Sequence, residues 1–363
     1  MSGGGAMTVA DAAYPGPGGP GRPAFGPLSR LLVVAPHPDD ETIAAAGLMQ
    51  AARQAGATVR VWLLTDGDNN PWPQRWVERR WRIDDGARRR WGRRRRAESM
   101  EALQRMGFDP AAVLQPFGWP DGGLTDRFIA DPGGLMILLQ RELSAFSPTD
   151  LVIPAVTDRH PDHGTAGLLM TLAARQAGLA QRVLSYRIHG GRPAEAALAW
   201  ELDDSQWASK QRAMTAYATQ SALSASRLRR MAGRREVFRS DPFWPWPGRV
   251  PVTRLEPGPG GGSLVFDLGW PARVLARQRL LVVAAPPGGT PTVRVIAGPA
   301  LAALARRQAG GIRLTVQGLA TENCHTFLKL EPLRRGPWIF DRCPWLGLPA
   351  QGAPTTDTRD PIP

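Results

Sequence analysis

Two short clusters hold the residue types that bind and use a divalent cation: Pro36-His37-Pro38-Asp39-Asp40-Glu41 and His160-Pro161-Asp162-His163. Together they carry three of the five histidines in the chain. Imidazole nitrogen and carboxylate oxygen are zinc donors, and a catalytic zinc keeps three protein ligands so that water takes the fourth position. A set of His37, Asp40 and His163 is such a site. Asp40 follows His37 by three residues, a spacing that lets both reach one ion, while Pro38 restricts the backbone and Asp39 is left to handle protons. His189 and His325 stand outside the clusters and are expected to be ordinary structural residues.

These clusters do chemistry only if the fold brings them together. Leu31 to Ala35 is a continuous apolar run, the pattern of a strand covered on both faces, and a helix from Thr42 to Gln54 follows it. Thr58 to Leu64 reads as a second strand and Ala97 to Met106 as a helix ended by Gly107. Val113-Leu114 opens a third strand; Leu135 to Phe146 is helical, Asp150 to Pro154 a fourth strand, Gly164 to Gln176 helical, and Val183 to Ile188 a fifth strand. Strand and helix alternate, which predicts a Rossmann-like α/β fold with a mostly parallel sheet and helices on both faces. Each cluster directly follows a strand, and in such sheets the loops after the strand ends meet in one crevice.

The alternation stops at Asp241, where Phe243-Trp244-Pro245-Trp246-Pro247 and Pro257-Gly258-Pro259-Gly260-Gly261-Gly262 can continue neither a helix nor a central strand. Beyond it, short alternating runs separated by turn residues predict a smaller C-terminal β-rich domain.

The net charge of +13 is carried almost entirely by arginine, since Lys210 and Lys329 are the only lysines. It makes an anionic partner plausible without naming one. Cys324 and Cys343 are too few for a disulfide scaffold and too far apart for a CxxC motif. The Gly/Pro-rich residues before 28 lack the apolar core of a secretory signal, and no run reaches the ~18 apolar residues of a membrane span. A cytoplasmic protein without a transmembrane segment is expected.

The paired motifs resemble those of the LmbE-like or PIG-L family of zinc N-deacetylases, which act on N-acetylglucosaminyl conjugates. Further landmarks match in the same order: Thr65-Asp66-Gly67, Arg95 with Glu98, Trp119-Pro120-Asp121-Gly122-Gly123-Leu124, and Lys210 through Tyr217 to Gln220. The resemblance covers about residues 29–240. It implies that His37, Asp40 and His163 hold Zn2+, or another divalent ion such as Fe2+. It further implies that Asp39 is the general base, that His160 is a second catalytic group which stabilises the oxyanion and helps protonate the leaving amine, and that Asp162 orients an imidazole. Arg95 and Asp121 match positions that hold the sugar conjugate. With the compositional breaks, the expected plan is a flexible leader (1–27), the deacetylase domain (28–240), a Pro/Gly/Trp linker (241–262), a β-rich accessory domain (263–350) and a flexible tail (351–363).

Two other readings compete. His37-Pro38-Asp39 with a later histidine also spells the triad of a non-haem Fe(II) oxygenase, but that triad is usually carried on a β-jelly roll. The segment 75–96 interleaves Trp76, Trp81 and Trp91 with eight arginines besides Arg75, Arg95 and Arg96, and so reads as a solvated helical face, a grip for an anionic glycan or other anionic substrate, or a single-strand nucleic-acid binder. No nucleic-acid-binding motif accompanies it, so no specific nucleic-acid partner is expected.

Overall fold

The computed structural model describes residues 23–178, 182–190, 198–244, 246, 252–257, 264–269, 272–308, 311–317, 324–334 and 339–348. The expected tail and all but the last residues of the expected leader lie outside them. The described residues divide into two compact units: those within 23–248 together with 339–344, and those within 252–334 together with 345–348. The division departs from the expected linker in two places. Trp244 is buried in the first unit, its indole N–H donating to Ser185 Oγ at 2.7 Å. The segment 339–344 returns to that unit, where Asp341 N donates to the Arg159 carbonyl at 2.8 Å.

Five strands form the parallel sheet of the first unit: β1 (Arg30–Ala35), β2 (Thr58–Thr65), β3 (Leu114–Trp119), β4 (Asp150–Pro154) and β5 (Arg182–Tyr186). Their order is β3-β2-β1-β4-β5. The chain builds outward from β1 in one direction and then returns to build from β4 in the other, so the strand order switches between β1 and β4. Loops that leave neighbouring strands on opposite sides of such a point leave a crevice between them. The loops after β1 and β4 are the two His/Asp clusters. Leu31, Leu32, Val33, Val34 and Ala35 have no exposed surface, which is why β1 is uniformly apolar rather than alternating. Edge strand β3 tolerates Pro116, whose missing N–H a central strand would need.

Helices α1 (Asp40–Gln54) and α7 (Pro161–Gln176) follow the two clusters directly. Between β2 and β3 lie α2 (Pro71–Glu78), α3 (Asp85–Arg105) and α4 (Pro110–Val113); between β3 and β4 lie α5 (Leu124–Ala130) and α6 (Pro132–Phe146). After β5 come β6 (Leu198–Glu201), α8 (Asp204–Met214), α9 (Ala218–Met231) and β7 (Arg235–Phe238), with β6 and β7 antiparallel. Helix α3 begins twelve residues before Ala97, the start that apolar spacing predicts, because its arginine-rich first half has no apolar period to betray it. The Asp84 side chain caps it, accepting from Ala87 N at 2.7 Å. Around α2, Trp72, Trp76 and Trp81 are all exposed, and the Arg75 guanidinium lies 4.9 Å from the Trp72 ring and 5.2 Å from that of Trp81.

The second unit holds two antiparallel sheets. Strands β8 (Val252–Pro257), β9 (Leu264–Leu268), β10 (Gln278–Ala285), β11 (Thr292–Ala297), β12 (Ala305–Gln308), β13 (Gly311–Val316), β14 (His325–Pro332) and β15 (Leu346–Leu348) pair in the orders β11-β10-β14-β15 and β12-β13-β9-β8. The β-rich C-terminal region is therefore as the sequence predicts, and the parallel α/β sheet of the first unit is no jelly roll. Among the described residues, no helix is long and apolar enough to cross a membrane.

A buried ion pair fixes α1 against the last strand of the first unit. Glu236 on β7 accepts from Gly47 N at 2.9 Å, Leu48 N at 3.1 Å and Lys210 Nζ at 2.7 Å, and Lys210 Nζ also donates to the Ile43 carbonyl at 2.8 Å. Both side chains are fully buried. Helix α1 breaks its regular backbone at Ala45, and Glu236 supplies acceptors to the amides just beyond. Lys210→Met leaves the Glu236 charge without its cation and is expected to cost about 3–5 kcal/mol. The urea midpoint would report the loss; an unchanged midpoint would show that Glu236 is neutralised by other means.

Candidate metal centre

The turn after β1 is unusual in its backbone. Asp39 has φ 112° and ψ −26°, a left-handed conformation that a residue with a side chain adopts only under constraint. Three contacts supply the constraint. The Asp39 N–H donates to Glu41 Oε2 at 3.2 Å, and Arg95 on α3 donates to the Pro38 carbonyl at 3.0 Å and the Gly67 carbonyl at 2.8 Å. Gly67, at φ +61°, must be glycine, since a Cβ there would collide with the Arg95 guanidinium. Glu41 is in turn held by the Tyr217 hydroxyl, which donates to its Oε1 at 2.7 Å.

This turn points its side chains at the start of α7. His37 Nδ1 lies 3.2 Å from His163 Nε2, and Asp40 Oδ2 lies 3.4 Å from the first nitrogen and 3.1 Å from the second. Three donors around one tetrahedral zinc, with bonds of about 2.0–2.1 Å, stand about 3.3 Å apart. The three atoms fit such an ion in chemistry and in spacing.

The far nitrogen of each ring faces carboxylate. His37 Nε2 lies 3.2 Å from Asp121 Oδ1 and 3.3 Å from Asp162 Oδ2; His163 Nδ1 lies 3.5 Å from Asp158 Oδ2. A proton held on these outer nitrogens turns the lone pairs of His37 Nδ1 and His163 Nε2 inward, the arrangement that metal-ligating histidines need. The carboxylates are themselves anchored. Asp162 accepts from Gly122 N at 2.6 Å and Leu124 N at 3.2 Å, Asp121 from Asn69 N at 2.9 Å, and Asp158 from His160 N, Ile188 N and His189 N at 2.8–3.0 Å. Asp40 accepts from His37 N at 2.8 Å.

Electrostatics follow from burial and charge together. Burial disfavours a charged His37, but Asp121, Asp162 and Asp40 outweigh it and raise its pKa well above the usual value. Burial likewise opposes a charged His163, yet Asp40 and Asp158 push it up to about 9. Asp40 is lowered, the two rings overcoming its burial. Asp39 is raised by burial and the adjacent Asp40, with Arg95, 3.8 Å away, pulling the other way. His160 is held well below the ordinary histidine value by burial and the neighbouring His37 and His163. Its Nδ1 accepts from Asp162 N at 3.3 Å, which leaves the proton of the neutral ring on Nε2.

All eight residues singled out in the sequence therefore converge here, but two are placed differently from the expectation of substrate contact. Arg95 is 4% exposed, with its guanidinium on the Pro38 and Gly67 carbonyls, and the Asp121 carboxylate faces the His37 ring. Asp158 joins the site without having been singled out in the sequence, although it lies only two positions before His160, and Glu41 and Tyr217, present in the motif and landmarks without an assigned role, meet each other behind Asp39. His189, expected to be structural, has Nδ1 3.2 Å from Asp158 Oδ1, and its ring centroid is 4.8 Å from that of His163 and 5.3 Å from that of His160. His37, His160 and His163 also bring nitrogens within 4.8 Å of one another. Asp40 completes the better donor set, because its oxygen stands close to both ring nitrogens and brings a compensating negative charge.

Comparison with known proteins gives a family match over this region: the family described as PIG-L, GlcNAc-PI de-N-acetylase, matches residues 32–174. No curated protein matches the chain. Among solved structures, the conserved protein TT1542 from Thermus thermophilus is similar at 24% identity and a TM-score of 0.44, covering 60% of this chain and 96% of that one. The A40926 pseudoaglycone deacetylase Dbv21 is similar at 21% identity and 0.45, with 60% and 96% covered. The N,N'-diacetylchitobiose deacetylase from Pyrococcus horikoshii is similar at 18% identity and 0.43, with 58% and 83% covered.

The raised imidazole pKa values make metal binding and protons compete. Stability from a raised group is complete below the unfolded value near ~6.5 and is lost as pH climbs through the folded one. Metal-free protein should thus melt lower at pH 9.5 than at pH 7, while Zn2+ added at pH 7.5 in weak buffer should release about one or two protons per chain. Zinc uptake without proton release would show that the rings are already neutral.

Proposed function

Residues 32–174 of this chain are a PIG-L-family domain, and from that premise we propose that the protein is a zinc-dependent hydrolase that removes the N-acetyl group from an N-acetylglucosamine-type sugar conjugate. The products are acetate and a free amine. The observation that carries this reading is the triangle of His37 Nδ1, Asp40 Oδ2 and His163 Nε2, with donor spacings of 3.1–3.4 Å and carboxylates behind both rings, beside a strained and otherwise uncommitted Asp39.

These three atoms would hold the ion, and zinc there supplies Lewis acidity that lowers the pKa of water toward ~7 and draws charge from an amide oxygen. Asp39 takes the proton of the attacking water. Its raised pKa makes it a better base than an ordinary carboxylate, and the Arg95 guanidinium 3.8 Å away favours its charged form. As the water oxygen bonds to the carbonyl carbon, negative charge grows on the amide oxygen. His160, neutral and protonated on Nε2, donates a hydrogen bond to that charge. The carbon–nitrogen bond then breaks, and the proton collected by Asp39 passes to the leaving nitrogen. A low pKa favours His160 as a hydrogen-bond donor over a role as the main acid.

The roles of the supporting residues follow. Asp162 and Asp121 set the tautomer of His37, and Asp158 sets that of His163. Arg95 positions Asp39 by pinning Pro38 and Gly67. Two cysteines in 363 residues support a reducing compartment, the cytoplasm.

Three variants separate these roles when acetate release from an N-acetylglucosaminide is measured alongside bound metal. His163→Ala is expected to lose both metal and turnover. Asp39→Asn should keep the metal and lose kcat by about 10²–10⁴-fold, and His160→Ala should lower kcat by about 10²–10³-fold with little change in KM. Metal loss in Asp39→Asn equal to that in His163→Ala would contradict the division between ligand and base.

A further inference from the structure

A cavity of about 650 Å³ is lined in part by His189, whose ring neighbours those of His160 and His163. It is of the size that takes a sugar-sized ligand. Its wall shares His189 and Phe340 with the surroundings of His160: Phe340 packs 5.3 Å from the His189 ring and 6.3 Å from the His160 ring, centroid to centroid. The lining is cationic. Arg159 comes from the loop before α7, Arg187 from the end of β5, Arg227 and Arg230 from α9, and Arg235 from β7.

Two charges in the wall are matched to each other's opposites elsewhere. Arg235 pairs with Glu201 at 3.1 Å, and Glu236, the one acid among the described residues of the wall, is buried and satisfied by Lys210 and two amides. Arg159, Arg187, Arg227 and Arg230 surround one space. Aromatic rings lie beside three of them. The Arg159 and Arg227 guanidinium carbons lie 5.9 and 5.6 Å from the Phe340 ring, and that of Arg187 lies 5.2 Å from the Trp244 ring. Planar guanidinium groups are the usual partners of a bidentate oxyanion.

We propose that this cavity is a subsite for an oxyanion, phosphate or carboxylate, carried by the N-acetylated conjugate, with Arg227 and Arg230 as its principal charges and Phe340 as the wall that divides it from His160. The assignment rests on the deacetylase reading above and narrows its substrate to anionic conjugates. Arg227 and Arg230 are exposed on α9 and neither belongs to the metal-site residues named above, so the double variant leaves every one of those side chains in place.

The test uses full-length zinc-loaded protein and the double variant Arg227→Ala/Arg230→Ala. Three substrates are compared: methyl N-acetylglucosaminide, N-acetylglucosamine 1-phosphate, and N-acetylglucosamine linked to glucuronate. Binding of the amine products glucosamine 1-phosphate and glucosaminyl-glucuronate is measured by calorimetry, without turnover. The native protein should favour at least one anionic substrate, and the double variant should raise KM for it at least about tenfold while leaving the neutral glycoside unchanged. Product binding should weaken to match, and the preferred arm identifies phosphate or carboxylate as the group. Equal binding of every anionic product by native and variant protein, or a preference for the neutral glycoside, would overturn the subsite. Absence of acetate release from all three substrates, with anionic binding still lost in the double variant, would refute the deacetylase reading and leave the oxyanion site standing.

Discussion

The structure depends on a balance of buried charge. Two imidazoles and a ring of carboxylates are packed into the crevice between β1 and β4, where none of them would be tolerated alone. Asp40 stands between the two rings, Asp121 and Asp162 stand behind one, and Asp158 stands behind the other. With the carboxylates ionised the cluster is rich in negative charge even when both rings are protonated. On the proposed reading a divalent cation replaces two protons at little electrostatic cost and leaves the carboxylates facing the outer nitrogens in place. The same arrangement that makes the imidazoles strong bases makes them strong ligands.

Preorganisation of this kind has to be held from outside, and the elements that hold it come from every part of the first unit. Arg95 reaches from α3 to tie the two loops at Pro38 and Gly67. Tyr217 fixes Glu41, which in turn receives the Asp39 amide, and Lys210 with Glu236 anchors α1 just beyond its first turns. The strained backbone of Asp39 is the point at which these restraints meet. On the proposed reading, strain there places a carboxylate beside the three donor atoms of His37, Asp40 and His163 without making it one of them.

Much of this was legible in the sequence because the site is local in two places. Each cluster follows an apolar run, so strand and loop are readable from a few residues, and the parallel order that brings the loops together follows from alternating strand and helix. Other parts were hidden for physical reasons. The first half of α3 is polar on all sides, so no hydrophobic period announces it. Arg95 and Asp121 could be placed at the site but not oriented, because only the fold decides whether a side chain faces the ligand or the backbone behind it. Landmarks such as Lys210 and Tyr217 carry no chemistry in sequence; their meaning is the buried acids they meet. Phe340 lay beyond reach, since nothing within Ile339–Pro344 signals a return to the first unit from the β-rich region.

The arginine excess illustrates the same limit of composition. Arg95 is a buried clamp, Arg182 pairs with Asp150 at the start of β5, and Arg75 lies between exposed tryptophans. The group around the cavity beside His189 lines a single space, with aromatic rings beside three of its members and no uncompensated acid among the described residues of the wall. A net charge of +13 is thus several populations of arginine with different partners. Long-range attraction of an anion comes from all of them, but discrimination between an anionic and a neutral sugar conjugate requires charges whose positions are fixed relative to the reacting amide. The proposed subsite shares His189 and Phe340 with the surroundings of His160, whereas the exposed tryptophan and arginine surface on α2 connects to the site at its N-terminal end, where the Asn69 N–H donates to Asp121.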